Sequence, residues 1–188
     1  MFRRTLLALV ALFAVTAAAD AQVNVTPLIG GYVPADDWSQ LKTNAESYVQ
    51  TRQGRRSLGL NVEVGSFRGS VAYASNTAIK DADRQEVGRG SVYGIASDVV
   101  MRPLMRMVVQ PYLVLGAGVK FYAVDQVYSS EAEIATRRFA GHFGAGLDLM
   151  VGPVGVAAEI TNFLNKGRGL NWNGHDAFFM AGMRVKLP

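Results

Sequence analysis

Residues 110–123 read QPYLVLGAGVKFYA, and this stretch decides the fold. Taken with a period of two, one face carries only apolar side chains from Pro111 to Ala123. The other face is mostly small or polar and includes Gly116, Gly118 and Lys120. A helix would scatter these residues around its axis, whereas a strand separates them onto two faces. The length is close to the ~9–11 residues with which a tilted strand crosses a bilayer. The stretch therefore predicts a transmembrane β-strand.

The same alternation recurs in seven other stretches of the chain. Together they predict eight strands: Val23–Val33, Ser57–Gly65, Ser70–Thr77, Ser91–Met101, Gln110–Ala123, Arg137–Val151, Val154–Phe163 and Ala177–Leu187. The connections between them run alternately long and short. This spacing indicates an all-β fold, an eight-stranded antiparallel up-and-down transmembrane β-barrel with short turns at one end and long loops at the other. Pro27 favours an edge or a bulge for the first strand, and a helical turn is expected around Ser39–Tyr48 in the first loop.

The N-terminus has the features of a secretory signal peptide. Arg3 and Arg4 precede an apolar segment from Leu6 to Val15, and the small-residue end Ala19-Asp20-Ala21 follows. We therefore expect residues 1–21 to be a signal peptide, residues 22–188 to form one barrel domain, and the protein to be exported to the cell outer membrane. The chain has no cysteine, so a disulfide and a zinc–thiolate site are excluded.

Alternation alone does not say which face of a barrel is inside, because a soluble lipocalin-like barrel has the opposite arrangement. The minor face here is rich in Gly, Ala, Ser and Thr, with about one charge per strand, which suits a narrow lumen better than a surface in water. We also expect aromatic residues near the strand ends to form an interfacial girdle: Tyr32, Tyr73, Phe121, Tyr122, Tyr128, Phe139, Phe163 and Phe179. These features favour an apolar exterior in lipid.

A set of ionisable residues falls on the predicted inner face of the strands. They are Glu63, Asp98, Lys120, His142, Asp148, Glu159 and Arg184. An eight-stranded barrel is only just wide enough to be filled by side chains, and buried charges are costly unless they are paired and hydrogen-bonded. We interpret the set as a paired plug of the lumen, with an ion path as the alternative.

Basic residues flank the long loops, where the topology places the outer rim. They are Arg52, Arg55, Arg56, Arg89, Arg137, Arg138, Lys166 and Arg168. Guanidinium and ammonium groups form charge-assisted hydrogen bonds with phosphates, so these residues are candidates for contacts with lipopolysaccharide. The alternative is ordinary solvated loop charge, since the same loops also carry acidic residues.

Catalysis has little support in the sequence. His142 shares the inner face with Asp148, and His175-Asp176 is expected at the rim, but no serine lies in that loop to act as a nucleophile. The two histidines have no metal-ligand spacing. We therefore expect no enzyme, no metal and no cofactor. The formal net charge of +4, with mixed signs in every long loop, gives no basis for nucleic-acid binding.

Three segments carry a resemblance to a known family: residues 111–122, 143–163 and 179–188. Through them the whole mature chain resembles the small outer-membrane β-barrels of the OmpA/OmpX type. The resemblance implies a role in outer-membrane integrity or surface interaction, with long extracellular loops. It also implies two kinds of partner: membrane lipid and the assembly machinery for outer-membrane proteins. Members of that family usually end in an aromatic residue, whereas this chain ends Leu187-Pro188.

The sequence leaves three other functions and the oligomeric state open. A narrow pore would need open space between Gly116, Gly144 and Gly182. A lipid-modifying enzyme would need a Ser–His–acid cluster at the outer rim. A periplasmic ligand-binding barrel would need the two faces of every strand to be inverted.

Overall fold

The strands form one closed sheet. The computed structural model describes residues 22–34, 55–80, 86–103, 108–127, 135–165 and 174–187. The strands are β1 (Val23–Pro34), β2 (Arg55–Val64), β3 (Phe67–Lys80), β4 (Glu86–Met101), β5 (Val109–Val127), β6 (Ala135–Val151), β7 (Val154–Asn165) and β8 (Gly174–Leu187). Each strand pairs antiparallel with the next, and β8 pairs with β1. The predicted eight-stranded barrel is confirmed.

The two ends of the barrel differ in their connections. Gly65-Ser66 joins β2 to β3 and Gly152-Pro153 joins β6 to β7. Gly65 and Gly152 adopt φ values of 60° and 66°, a left-handed conformation that glycine reaches without steric cost. These turns lie at the same end as the start of β1 and the finish of β8, which we call the turn end. The opposite, loop end holds four connections, those between β1 and β2, β3 and β4, β5 and β6, and β7 and β8.

The alternation of the central stretch separates inside from outside. Leu113 and Leu115 are 52% and 61% exposed on the outer wall, whereas Tyr112 and Val114 are 3% and 2% exposed and face the lumen. The other strands follow the same rule, so the outer wall is mainly apolar and most of the described charged side chains of the strands are internal, with Arg56 and Arg137 on the outer face near the loop end. The inverted facing that a lipocalin-like cavity requires is not observed. Among the described residues, no helix is long and apolar enough to span a membrane.

Several strands extend beyond their predicted limits. β3 begins at Phe67 rather than Ser70, and β8 begins at Gly174 rather than Ala177. Backbone pairing with the neighbouring strands continues through the residues that precede the predicted starts of these two strands. The edge position that Pro27 favoured is wrong, because closure gives β1 a partner on both sides. The signal peptide, the helical turn at Ser39–Tyr48 and the long loops lie outside the described residues.

The predicted aromatic girdle divides between the two faces. Phe139 and Phe179 are 77% and 45% exposed on the outer wall. Tyr32 and Phe163 are fully buried inside, and Tyr122 turns its hydroxyl inward to Asp176, so their assignment to the girdle is wrong. The period of two would have placed Phe163 correctly, because it shares the inner face of β7 with Glu159. Tyr128 lies outside the described residues.

The facing of the outer wall generates a stability prediction. Leu115→Arg should lower the free energy of unfolding in lipid bilayers by about 2–4 kcal/mol, because Leu115 lies near the middle of β5 on the apolar outer wall, which we expect to face lipid. Leu187→Arg, at the turn end of β8, is the control and should cost about 0–1 kcal/mol. Urea unfolding in vesicles measures both. Equal small losses would contradict the assignment of the outer wall to lipid.

Candidate functional site

The lumen is the candidate functional site, because it gathers the ionisable residues of the strands. All seven predicted residues are buried there: Glu63, Asp98, Lys120, His142, Asp148, Glu159 and Arg184. The structure adds Arg68, Arg102 and Asp176, whose side chains enter the same interior. The ten groups form three clusters along the barrel.

The cluster nearest the turn end contains two arginines and two carboxylates. Arg184 reaches Glu63 at 2.6 Å and Asp148 at 2.9 Å. Arg102, which lies just beyond the end of β4, reaches the same two carboxylates at 2.8 and 3.2 Å. Burial lowers the pKa of Arg102, but the hydrogen bonds and charges of the two carboxylates outweigh it and raise that pKa. With both arginines charged, the cluster is neutral.

The middle cluster is built around Glu159 and Asp98. The guanidinium of Arg68 donates to Glu159 at 2.8 Å, and Asn61 and Tyr112 donate to the same carboxylate. Three groups surround Asp98: Ser70 donates to it at 2.7 Å, His142 Nδ1 lies at 2.7 Å, and Arg68 Nε lies at 3.5 Å. The Tyr112 ring also lies beneath both Arg68 and Arg102, so it connects this cluster with the one at the turn end.

The third cluster lies toward the loop end and centres on Asp176. Lys120, Tyr32 and Tyr122 all donate to its carboxylate. Lys120 also donates to the Phe163 carbonyl at 3.3 Å. The sequence predicts Asp176 in the loop before β8, and that prediction is wrong, because Asp176 is the third residue of β8 and is 3% exposed in the interior near the loop end.

Apolar side chains fill the lumen between the middle cluster and Asp176. Phe163 stacks on His142 with ring centroids 4.3 Å apart and meets Phe178 edge-on at 6.0 Å. Leu28, Val92 and Met180 are buried in the same group. The sequence predicted a small, polar inner face, and this layer shows that the interior also contains a packed hydrophobic core.

The inner-face glycines do not mark open space. A Cβ at Gly116 would lie 2.2 Å from the Ser97 carbonyl oxygen, and one at Gly144 would lie 2.5 Å from the Ile160 oxygen. At Gly182 the Pro27 oxygen would be only 1.8 Å away. Real Cβ atoms do not approach backbone so closely, so these positions are small because neighbouring strands crowd them. The open path that a pore requires at these glycines is not observed.

The histidine of the middle cluster has no serine in hydrogen-bond contact among the described residues. Ser70 donates to Asp98 rather than to His142, whereas nucleophilic catalysis needs the nucleophile and base in hydrogen-bond contact. Nε2 of His142 has no hydrogen-bond partner among the described residues. Nor does the described part of the chain contain a group of three or more His, Cys, Asp or Glu side chains placed to hold a metal ion.

The structure divides the predicted rim residues between the outer and the inner face of the barrel. Arg56 and Arg137 are exposed and lie on the outer face of β2 and β6, whereas their neighbours Arg55 and Arg138 lie on the inner face and are half-buried. Arg89 is also half-buried near the loop end of β4. Arg52, Lys166 and Arg168 lie outside the described residues.

Sequence reasoning missed three members of the lumen clusters for different reasons. Arg68 falls between the predicted strands Ser57–Gly65 and Ser70–Thr77, although it shares a period of two with Ser70 and Ala72 on β3. Asp176 likewise shares the inner face of β8 with Phe178 and Met180. Longer strands would therefore have recovered both residues. Arg102 follows the end of β4 and has no periodic signal.

Comparison with solved structures places the architecture among known barrels. No protein-family model matches the chain, and no curated protein sequence matches it. The fold is similar to Neisserial surface protein A (TM-score 0.59, 14% identity), covering 88% of this chain and 97% of that one. It is also similar to the outer membrane protein OprG from Pseudomonas aeruginosa (TM-score 0.63, 10% identity), covering 89% and 96%. The likeness shows a shared fold, that of small outer-membrane barrels.

The Lys120–Asp176 pair generates a test of internal charge pairing. Lys120→Met and Asp176→Asn should each lower the free energy of unfolding by about 3–5 kcal/mol, because each leaves one buried charge without its partner. The double variant should lose clearly less than the two single losses combined, because both groups are then neutral and the amide oxygen introduced at position 176 still accepts from the tyrosines. Urea unfolding in vesicles gives the three values, and harmless single variants would contradict the pairing.

Crowding at Gly116 generates a second stability prediction. Gly116→Ala should lower the unfolding free energy by about 1–3 kcal/mol, because the added methyl group overlaps the backbone of β4. Gly141→Ala is the matched control on the adjacent strand, where the nearest atom to a Cβ is 3.8 Å away. It should be neutral. If Gly116→Ala and Gly141→Ala both left the free energy of unfolding unchanged, the crowding inferred at Gly116 would be wrong.

Proposed function

We propose that the protein is a structural barrel of the bacterial outer membrane, related to the OmpA/OmpX type, with a closed lumen and extracellular loops available for surface interaction. The observation that carries this proposal is the contrast between an apolar outer wall and an interior in which charges pair with one another. Neither an enzyme activity nor a cofactor enters it.

The outer wall supports a location in lipid. Large apolar side chains are exposed on every strand, including Ile29, Leu58, Ile95, Leu147 and Met183. A surface of this kind exceeds the apolar patches that soluble proteins expose. A closed barrel also satisfies its backbone hydrogen bonds within the sheet, which the hydrocarbon of a bilayer demands. Lipid is therefore the solvent that this wall fits best.

The filled lumen supports a structural role over transport. In the cluster nearest the turn end and in the cluster around Asp176, positive and negative groups are equal in number. The middle cluster places Arg68 and His142 against two carboxylates. The buried layer that contains Phe163 and Phe178 occupies the space between the middle cluster and Asp176. A channel for small solutes would need a continuous polar path, and the packed side chains interrupt it. We therefore expect the reconstituted barrel to give no steady conductance, and the test of the proposal includes that measurement.

The loop end offers contacts with lipid headgroups. Arg56 and Arg137 project from the outer face of β2 and β6 rather than into the lumen. Guanidinium groups there would meet the phosphates of surrounding lipopolysaccharide in charge-assisted, bidentate hydrogen bonds. In the proposed role these contacts anchor the barrel in the outer leaflet. Arg55 and Arg138 face the interior and do not take part in them.

Cell fractionation combined with planar-bilayer recording tests the proposal. The protein should appear in the outer membrane, should migrate differently on gels before and after boiling, and should give no steady conductance when reconstituted. A soluble periplasmic protein with unchanged migration would overturn the membrane location. A stable conductance that Arg102→Gln increases would overturn the closed lumen and favour the pore.

A further inference from the structure

A cavity lies on the outer wall toward the loop end. Its volume is about 440 Å³, and Ala117, Gly141, Val119, Phe139 and Leu164 line it. Ala117 and Gly141 are direct neighbours across β5 and β6, and Val119 and Phe139 are the next pair toward the loop end. The small pair forms the floor of the cavity, and the larger apolar side chains form its walls. A surface of this composition suits a hydrocarbon chain.

A cation stands at the loop-end side of this cavity. Arg137 pairs with Phe121, one step beyond Phe139 and Val119 on the same outer face. Gly141 lies four positions after Arg137, which in an extended strand is about 13 Å. The positive charge of Arg137 therefore lies nearer the rim, and the apolar surface lies below it. These positions match a membrane lipid, in which an anionic headgroup lies above the acyl chains.

A second and larger groove on the outer wall lacks this order. It has a volume of about 700 Å³ and is lined by Pro111, Leu113, Leu147 and Ile160 among others. Its one charged lining residue, Glu159, turns its carboxylate into the lumen toward Arg68. That groove therefore offers nothing in its described lining to bind a headgroup, which leaves the cavity beneath Arg137 as the stronger site.

We infer that the cavity between β5 and β6 binds one acyl chain of an outer-leaflet lipid whose headgroup phosphate is bound by Arg137. The inference rests on the proposed outer-membrane location and deepens it, because it assigns a defined lipid site to one side of the barrel. The ligand class is a phosphorylated, acylated glycolipid of the lipid A type.

Native mass spectrometry of the detergent-solubilised barrel, titrated with lipid A, tests the inference. Gly141→Phe fills the cavity and should weaken binding about tenfold. Gly69→Phe is the matched control, because Gly69 is an exposed outer-face glycine of β3 and a Cβ there is also free of close contacts. It should bind lipid A as the unaltered chain does. Equal affinities of the Gly141→Phe variant and the unaltered chain would overturn the inference.

A second set of variants tests the contact between Arg137 and the headgroup phosphate. Arg137→Gln should weaken lipid A binding about tenfold, as expected for loss of a charge-assisted hydrogen bond. Arg137→Lys should retain part of the affinity. Dephosphorylated lipid A should bind the unaltered chain and the Arg137→Gln variant equally. A loss of the same size with the dephosphorylated lipid would overturn the phosphate contact.

Fractionation of the same variants separates this inference from the proposed function. If Gly141→Phe reaches the outer membrane and binds lipid A normally, the lipid site is wrong while the membrane barrel stands. If the unaltered chain is absent from the outer membrane, both are wrong.

Discussion

Closure of an eight-stranded sheet is the constraint on which the rest of the structure depends. Closure pairs every strand on both sides and leaves an interior that is only just wide enough to be filled by side chains. Each inward residue must therefore either be small, pack against other apolar groups, or find a partner for its charge. Gly116, Phe163 and Lys120 represent these three solutions.

The charge networks also fix the register of the strands. A slip of one residue between two strands would turn an inner face outward, so Glu159 or Arg184 would lie on the apolar outer wall without a partner. Each cluster joins residues from several strands: the one at the turn end links β2, β6 and β8 with Arg102, and the middle one draws on β2 to β7. The interactions therefore specify a single arrangement of the sheet, whatever their net effect on stability.

The sequence predicted the architecture well because the side-chain period of a strand is a local property. Leu113 and Lys120 reveal their faces without any knowledge of their neighbours across the sheet. Partners across the lumen are a different matter, since they depend on register and on strand ends. Nothing near Asp176 in the chain indicates that it meets Lys120, 56 residues away. Arg102 was missed because it reaches the lumen from beyond a strand.

The most direct test of the account is the reactivity of single cysteines toward a water-soluble thiol reagent in reconstituted bilayers, since the chain has no cysteine of its own. Cysteines introduced in place of Leu113, Leu115 and Ala117 on the outer wall, and of Val114 on the inner face, should all be unreactive, while one in place of Ser66 in the turn should react. Reaction at the outer positions would show that the wall faces water. Reaction at the Val114 position would show that the lumen is open. Either result would contradict a lipid-facing barrel with a closed interior.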